Sequence, residues 1–501
     1  MTYPDNPTTT LQQHLLPADA TLRTALAHLN AVEPKLCIMV DHDGTTMRTC
    51  SDGDIRRGLL GGATLESPLV DLPYRAPVLA GADTSDEDLL ALMSDKQVST
   101  IVLTDGHQRP VELKNITDLQ DRILLSPPHI GTTEVDYVRQ TFDSNWIAPA
   151  GLNIEAFESR LAEISTRNHA IAVSSGTAGL HLALRALNLP EGAAIYISDK
   201  TFVASLQPVL YERMQPVLID AEPLNWNMSP EALEQRLARD AARGRLPGAI
   251  MLVHLYGQPA QIGRILPLAE RYGIPIIEDA AESLGAVYDN RPSGAHGLIS
   301  VYSFNLNKIL TTSGGGAVVT DDPDLAGRVR YLATQGRDPC EHYQHSEVAY
   351  NYRMSNILAG VGLSQIEALP DRVARRHAIY ARYRSALGEM PGIGFQEEAP
   401  AACGNRWLTV ITLDPNHVGL HPYQLMRALK QRGIETRPSW KPLHMQPLCD
   451  GMEFEPHSDR DVVSASVFLR GLCLPSGSNL SKAQQDRIIL SIRNTLMRAD
   501  A

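Results

Sequence analysis

The sequence SFNLNKILTTSGGG, residues 303–316, places Lys308 in a loop rich in Ser, Thr, Asn and Gly. Strand-like segments flank the loop at residues 299–304 and 317–320. An acidic residue, Asp279, ends an apolar run 29 positions before Lys308. Loops of this composition between strands are frequent places for binding chemistry.

A lysine and an aspartate placed in this way match the needs of one cofactor. A lysine amine forms a Schiff base with the aldehyde of pyridoxal phosphate, and an aspartate beside the pyridine nitrogen keeps that nitrogen protonated. Lys308 taken alone would be read as a surface charge, because the chain has 45 Lys and Arg residues. Together, Lys308 and Asp279 suggest a pyridoxal phosphate site.

Short apolar strands alternate with helical segments after Pro127-Pro128. This alternation predicts an α/β fold with a mainly parallel sheet and helices on both faces. Asp279 then falls at a strand end, where ligands of open α/β sheets gather. The predicted strands are residues 170–173, 194–197, 216–219, 249–253 and 275–278.

The segment SSGTAG, residues 174–179, follows the first of these strands and precedes a helical segment at 180–187. Small residues let backbone N–H groups approach an anion, and a helix N-terminus favours negative charge. By itself the segment is also typical of an ordinary tight turn. Beside Lys308 and Asp279 it predicts a phosphate seat.

The first quarter of the chain contains an internal repeat with an offset near 64 residues. Two copies of helix, strand, turn, strand and acidic loop predict a pseudo-symmetric α/β pair. After a tail at residues 1–15, residues 16–121 resemble a tandem CBS module. The matched positions are Ala25, Leu26 and Leu29 with Leu89, Leu90 and Met93, Ile38 with Val102, and SDGD (51–54) with NITD (115–118).

The CBS resemblance implies a nucleotide site. In that family the Asp of a Ser/Thr-x-x-Asp element binds ribose hydroxyls, which implies Asp54 here, with Ser51 nearby. The second copy has Asn115 in the Ser/Thr position, so Asp118 matches less well. Ser51 and Asp54 are equally typical of a helix cap without any ligand.

Residues 123–501 resemble the DegT/DnrJ/EryC1/StrS family of sugar aminotransferases. The resemblance implies the type I fold of pyridoxal phosphate enzymes, with a large cofactor-binding domain at 122–385 and a small C-terminal α/β domain at 386–501. Within the family the chain is most similar to enzymes that aminate carbon 4 of UDP-linked 4-keto-6-deoxy sugars. The motifs are SNWIAP (144–149), SGTA (175–178), TFVAS (201–205), VHLYGQ (253–258), EDAAESLG (278–285), YNYRMSN (350–356) and RPSWKPLH (437–444).

The resemblance also assigns roles at the cofactor. Lys308 would hold the cofactor and, once displaced by the amino donor, move a proton, while Asp279 would pair with the pyridinium nitrogen. Phe202 would stack on the ring, although core packing is the other interpretation. Glu282 would lie near the cofactor hydroxyl. The phosphate would be bound by Gly176, Thr177, Ala178 and Ser303.

Two further groups of residues follow from the resemblance. Asn351, together with Arg353, would reach the phosphate of a neighbouring subunit, because the family builds its sites at a dimer interface. The second group would contact the nucleotide-sugar, although each of its members could equally be a surface or structural residue. It consists of Arg437, Trp440, Lys441 and His444.

Composition limits the possible partners and compartments. The net charge is −12, and residues 1–121 hold 18 acidic against 9 basic residues, which argues against nucleic acid. No apolar run reaches the length of a membrane span, and the N-terminus lacks signal-peptide features, so we expect a cytoplasmic protein. The six cysteines form no Cys-x-x-Cys pair, and no metal site is predicted.

The predicted function is a ping-pong transamination that uses an amino-acid donor, L-glutamate, and a nucleotide-linked keto-sugar, in a homodimer or larger homo-oligomer. Amination at carbon 3 is an alternative, because Leu306, Ala349 and the segment 198–200 depart from the family pattern. A second alternative is a non-catalytic nucleotide-sensing or assembly protein on an aminotransferase scaffold. Lys308 favours an aminotransferase, since relatives that dehydrate sugars carry His at this position.

Overall fold

The computed structural model describes residues 11–32, 34–72, 76–116 and 122–497. The chain divides into two compact units, Met1–Arg122 and Ile123–Ala501. Asp118 lies outside the described residues.

The first unit holds two copies of one small α/β arrangement. In each copy the middle strand of a three-stranded sheet pairs parallel with the first strand and antiparallel with the third. The elements are β1 (Leu15–Pro17), α1 (Leu22–Ala31), β2 (Leu36–Val40), β3 (Thr46–Ser51), α2 (Asp52–Leu60), β4 (Leu79–Gly81), α3 (Asp86–Lys96), β5 (Thr100–Thr104) and β6 (Pro110–Asn115).

The repeat extends to individual side chains. Thr21 and Ser85 cap α1 and α3 by accepting a hydrogen bond from the N–H three residues later. Asp41 and Asp105 each accept two backbone N–H bonds in the turn after the middle strand. Both pairs are separated by 64 positions, which is the offset that the sequence predicts.

The second unit contains one large sheet, one small sheet and the helices around them. Its strands are β7 (His169–Val173), β8 (Ala194–Ser198), β9 (Gln215–Ile219), β10 (Ala249–Val253), β11 (Ile276–Asp279), β12 (Val287–Tyr288), β13 (Arg291–Pro292), β14 (Ile299–Ser303), β15 (Gly316–Thr320), β16 (Ile393–Phe395), β17 (Ala402–Cys403), β18 (Thr409–Leu413), β19 (Arg437–Pro438), β20 (Glu453–Glu455) and β21 (Gly471–Leu474).

The helices of the second unit lie between these strands and at both ends. They are α4 (Thr133–Asp143), α5 (Leu152–Ser165), α6 (Gly176–Ala186), α7 (Gln207–Tyr211), α8 (Pro230–Ala241), α9 (Ile262–Arg271), α10 (Pro323–Ala333), α11 (Asn356–Glu367), α12 (Leu369–Leu387), α13 (Pro415–Val418), α14 (Pro422–Lys430), α15 (Val463–Arg470) and α16 (Lys482–Met497).

The large sheet has eight strands in the order β20-β9-β8-β10-β11-β14-β15-β7. All strands are parallel except β15, which runs antiparallel to both neighbours. The predicted mainly parallel sheet is therefore confirmed, and Asp279 is the last residue of β11. The edge strand β20 comes from the C-terminal region and has no counterpart among the predicted strands.

Apolar cores lie on both faces of this sheet. In β8, Ile195 and Ile197 pack with residues of α6, whereas Tyr196 between them packs with residues of α8 and α9. This alternation follows from the two-residue period of a strand. Helices cover both faces, and the strand ends remain free to carry polar residues.

The C-terminal region forms a four-stranded antiparallel sheet, β16-β18-β21-β19, with its own core. Helix α12 crosses the predicted domain boundary at residue 385, and its Tyr383 and Leu387 are buried in this core. Ile123 also belongs to it, through backbone pairing beside Ile434. Residues just after the division of the chain are thus part of the C-terminal core.

Candidate active site

Asp279 lies buried at the carboxyl end of β11. Its Oδ2 accepts a hydrogen bond from the Ser205 hydroxyl at 2.6 Å, and its Oδ1 accepts one from the Ala281 N–H at 3.2 Å. Burial raises the pKa of the Asp279 carboxyl. Within the described ranges, no Lys, Arg or His nitrogen forms an ion pair with Asp279, so its direct partners are neutral.

Lys308 lies in the loop after β14 with its amine between two groups. Its Nζ is 3.3 Å from Glu282 Oε1 and 3.9 Å from the centroid of the Trp407 ring. Glu282 is buried, and its Oε2 accepts a hydrogen bond from the Tyr256 N–H at 2.6 Å. Burial raises the pKa of Glu282 to about 7, although the positive charge of Lys308 acts in the opposite direction.

Helix α6 begins at Gly176, in the segment predicted to hold a phosphate. The Ser175 hydroxyl accepts a hydrogen bond from the Ala178 N–H at 3.0 Å, whereas the Gly176 and Thr177 N–H groups have no acceptor within the helix. A Cβ on Gly176 would lie 2.8 Å from the Cβ of Ser303. A glycine is therefore required for the Ser303 side chain to lie beside the helix N-terminus.

These groups fit the chemistry of pyridoxal phosphate. A helix N-terminus with a neighbouring serine suits the phosphate, and a buried carboxylate without a cationic partner suits a protonated pyridine nitrogen. Lys308 supplies the amine. Phe202 is 57% exposed, and its ring centroid is 5.6 Å from that of Trp440, so core packing does not explain Phe202.

The comparison with known families agrees with this chemistry. The model of the DegT/DnrJ/EryC1/StrS aminotransferase family matches residues 128–493. The chain belongs to this family. It is therefore a pyridoxal phosphate-dependent sugar aminotransferase, which confirms the predicted cofactor.

Relatives of this chain align with almost all of the second unit. EpsN of Bacillus subtilis (strain 168), assigned to the pyridoxal phosphate-dependent aminotransferases, is 50% identical over 371 residues, which are 74% of this chain and 95% of EpsN. GDP-perosamine synthase of Caulobacter vibrioides is 34% identical over 75% of this chain and 99% of its own. A crystal structure of a DegT/DnrJ/EryC1/StrS aminotransferase from Brucella abortus has a TM-score of 0.68, with 31% identity over 73% of this chain and 95% of that one.

The two residues predicted to cross a subunit interface differ in their surroundings. Asn351 is exposed. The Arg353 side chain is 9% exposed, and its guanidinium donates to Glu158 Oε1 at 2.6 Å and to the Ala172 carbonyl at 3.0 Å. The Arg353 guanidinium is thus held by a carboxylate and a backbone carbonyl of its own chain.

The predicted sugar-contacting residues also separate into two groups. Arg437 is exposed and pairs with Glu435 at 2.7 Å, and Lys441 is half-buried. Trp440, in contrast, has its ring centroid 5.6 Å from that of Phe202 and 6.1 Å from that of Trp407. Trp440 thus lies beside the predicted cofactor site, whereas Arg437 faces solvent.

Asp199 and Lys200, which depart from the family pattern, anchor the segment that contains Trp440 and His444. Asp199 Oδ2 accepts from the His444 ring Nδ1 at 2.7 Å, and its Oδ1 accepts from the His444 N–H at 2.8 Å. Lys200 is buried, and its Nζ donates to the Trp440 carbonyl. Burial lowers the pKa of Lys200 to about 7.

Sequence reasoning missed several residues of the site. Ser205 and Tyr256 lie within quoted motifs, so their proximity to the site could have been inferred from motif membership. Trp407 and Asn405 lie in the C-terminal region and carry no local signal. Asn405 also depends on Gly257, where a Cβ would lie 1.8 Å from the Asn405 side-chain oxygen.

The candidate nucleotide residues of the first unit form a helix cap. Asp54 Oδ2 accepts from the Ser51 N–H at 2.8 Å and from the Ser51 hydroxyl at 2.6 Å. Asp54 Oδ1 pairs with Arg57 at 2.6 Å. These contacts agree with the alternative in which Ser51 and Asp54 cap α2.

Proposed function

We propose that the protein transfers the amino group of L-glutamate to carbon 4 of a UDP-linked 4-keto-6-deoxy-hexose, by a ping-pong mechanism. The observation that carries the amino transfer itself is the arrangement of Lys308, Asp279 and the N-terminus of α6 around one edge of the sheet. A GDP-linked sugar is the second candidate, because GDP-perosamine synthases are among the relatives. The resemblance of residues 123–501 to 4-aminotransferases of UDP-linked sugars supports the choice of the nucleotide and of carbon 4.

Pyridoxal phosphate, when bound, accepts the electrons of a carbanion and carries the amino group between the two substrates. Lys308 would hold the cofactor and, when its amine is free, move a proton at Nζ. Asp279 would hold the proton on the pyridine nitrogen, aided by Ser205, which fixes the carboxylate. The phosphate would lie against Gly176, Thr177, Ala178 and Ser303, while Phe202 covers the ring.

The subunit arrangement is also part of the proposal. We propose a homodimer in which Asn351 of each protomer reaches the phosphate site of the other. The exposure of Asn351 supports this role, because an exposed side chain is accessible to a second protomer. Tyr350 and Tyr352 on either side stack at 4.9 Å, which fixes the segment that presents Asn351.

The sugar, the carbon and the donor are tested together by product analysis. Purified holoenzyme is incubated with L-glutamate and a panel of 4-keto and 3-keto sugars linked to UDP, GDP or TDP, and the products are identified by NMR. We expect one 4-amino product from a UDP-sugar. A 3-amino product, or turnover only with GDP-sugars, would contradict the finer proposal while leaving the aminotransferase assignment intact.

The first unit is proposed as a CBS-like regulatory module that binds a nucleotide and changes the activity of the enzyme. The two matched copies of one α/β arrangement support this proposal. Because Asp54 is held by Ser51 and Arg57, a nucleotide would have to displace Arg57 to reach its carboxylate. Allosteric coupling is typically about 1–3 kcal/mol, or roughly 5- to 150-fold in affinity.

The regulatory proposal is tested by a truncation that begins at Arg122, which keeps Ile123 in the C-terminal core. The truncated and full chains are compared for rate, stability and assembly, with and without adenine and uridine nucleotides. A nucleotide response confined to the full chain is expected. Equal behaviour of both chains, with no nucleotide bound by either, would refute the sensor. Lost stability or assembly without any response would indicate a structural role.

A further inference from the structure

Trp407 contacts the loop of Lys308 in two ways. The side chain is 2% exposed, and the centroid of its ring lies 3.9 Å from Lys308 Nζ. Its Nε1 also donates a hydrogen bond to the carbonyl of Asn307 at 2.7 Å. One indole thus covers the amine and holds the backbone immediately before it.

The position of Trp407 is fixed by a buried asparagine. Asn405 Oδ1 accepts a hydrogen bond from the Trp407 N–H at 2.8 Å. The Asn405 amide nitrogen donates to the carbonyls of Glu282 at 2.8 Å and Leu284 at 2.9 Å. The indole and the carboxylate on the two sides of the Lys308 amine are therefore tied together through one side chain.

A second set of contacts holds the same loop without touching the amine. The Ser126 hydroxyl donates to the Asn307 carbonyl at 2.7 Å. The Arg376 guanidinium, also buried, donates to the Ser126 hydroxyl at 3.0 Å and to the Trp407 carbonyl. Ser126 and Trp407 thus both donate to the Asn307 carbonyl, but only Trp407 also contacts the Lys308 amine. Ser126 is therefore a suitable control position.

The Lys308 amine contacts the carboxylate of Glu282 and the ring of Trp407, and it also interacts electrostatically with Asp279. Glu282 is a variable partner, because burial brings its pKa to about 7 and so leaves it partly neutral near physiological pH. An indole face attracts an ammonium through its quadrupole, and the attraction is strongest when water is excluded. Trp407 provides this face at contact distance.

We propose that Trp407 is an active-site residue whose indole face stabilises the charged amine of Lys308 and whose N–H fixes the loop that carries this lysine. The proposal rests on the proposed role of Lys308 as the cofactor-bearing residue. It predicts that a change at the Trp407 ring alters the pH dependence with which the amine attacks the cofactor aldehyde.

The test uses the full chain from which the cofactor has been removed. Pyridoxal phosphate is added, and the rate at which the visible absorbance of the lysine-bound cofactor forms is measured from pH 6 to 10. Only the neutral amine attacks, so the midpoint of the rate profile reports the stability of the charged amine. Trp407 is replaced by mono- to tetrafluorinated tryptophan through site-specific incorporation, which keeps shape and N–H but weakens the electrostatic attraction of the ring face.

We expect each added fluorine to lower the midpoint, by about one pH unit in total for the most fluorinated ring. Trp407→Leu should lower it similarly, and Trp407→Phe should lower it less because a ring remains. Ser126→Ala is expected to leave the midpoint in place. A midpoint unmoved by fluorination, or moved as much by Ser126→Ala as by Trp407→Leu, would overturn the proposal.

A separate variant tests whether Lys308 is the cofactor-bearing residue at all. If Lys308→Ala still formed the same absorbance, Lys308 would not be the cofactor-bearing residue, whatever the fluorinated variants showed. Loss of the absorbance in Lys308→Ala, together with a fixed midpoint in the fluorinated series, would refute only the role of Trp407.

Discussion

Replacing Glu282 by Gln is expected to remove a pH-dependent loss of stability from the cofactor-free protein. Glu282 is buried beside Lys308, and its pKa is raised from 4.5 to about 7. Because the pKa of Glu282 is higher in the folded than in the unfolded protein, its protonated carboxyl stabilises the fold. This stabilisation is fully present below about pH 4.5 and is lost as the pH rises through 7. The neutral amide of the Glu282→Gln variant has no such dependence.

The magnitude follows from the difference between the two pKa values of Glu282. A rise from 4.5 to about 7, at about 1.4 kcal/mol per pH unit, gives about 3.5 kcal/mol as an upper bound. The variant should therefore gain up to this amount, relative to wild type, between pH 4.5 and 8. For a unit of this size, that gain corresponds to a difference in melting temperature of roughly 3–6 °C.

Tryptophan fluorescence provides a selective assay, because all four Trp residues of the chain lie in the second unit. Melting temperatures of the cofactor-free wild type and Glu282→Gln are compared from pH 5 to 8. Glu234→Gln is the matched control, since Glu234 forms an exposed pair with Arg271 and should give a small, constant difference.

A pH-independent difference between Glu282→Gln and wild type would refute this reasoning. It would mean that the attraction of Lys308 outweighs burial and keeps Glu282 ionised throughout. In a Lys308→Ala background, the pH range over which Glu282→Gln differs from its parent should move upward, because Lys308 lowers the pKa of Glu282.

Four further outcomes are expected. Lys308→Ala should lose the visible absorbance of bound cofactor and all turnover. Asp279→Asn should keep the cofactor but lose about 100-fold or more in rate, measured in each half-reaction, since only a carboxylate stabilises the protonated ring. Mixing Lys308→Ala with Asn351→Ala chains should restore about a quarter of wild-type activity, because half of the dimers are mixed and each mixed dimer has one intact site; verified heterodimers without activity would argue against a shared site. Asp199→Asn should raise the KM for the nucleotide-sugar about tenfold with an unchanged glutamate half-reaction, because one of the two oxygens that accept from His444 becomes an NH2 donor; an equal loss in both half-reactions would show a general structural defect.

The local features of this chain could be predicted from its sequence. The strand before Asp279, the helix start at Gly176 and the repeat in the first unit each depend on neighbouring residues. Periodicity, small residues and capping side chains act over a few positions, and they leave a readable pattern. The family motifs were identifiable for the same reason, because each is a short contiguous segment.

Contacts between distant segments were decided by tertiary structure. Trp407 reaches Lys308 across 99 positions, Asp199 reaches His444 across 245, and β20 pairs with β9 from the opposite end of the unit. The charge state of Glu282 likewise depends on burial, which no local pattern reports. The sequence alone therefore determined which residues could perform the chemistry and where strands and helices begin. Packing of remote segments decided the surroundings of the Lys308 amine, because desolvation and ring contacts exist only once the chain is folded.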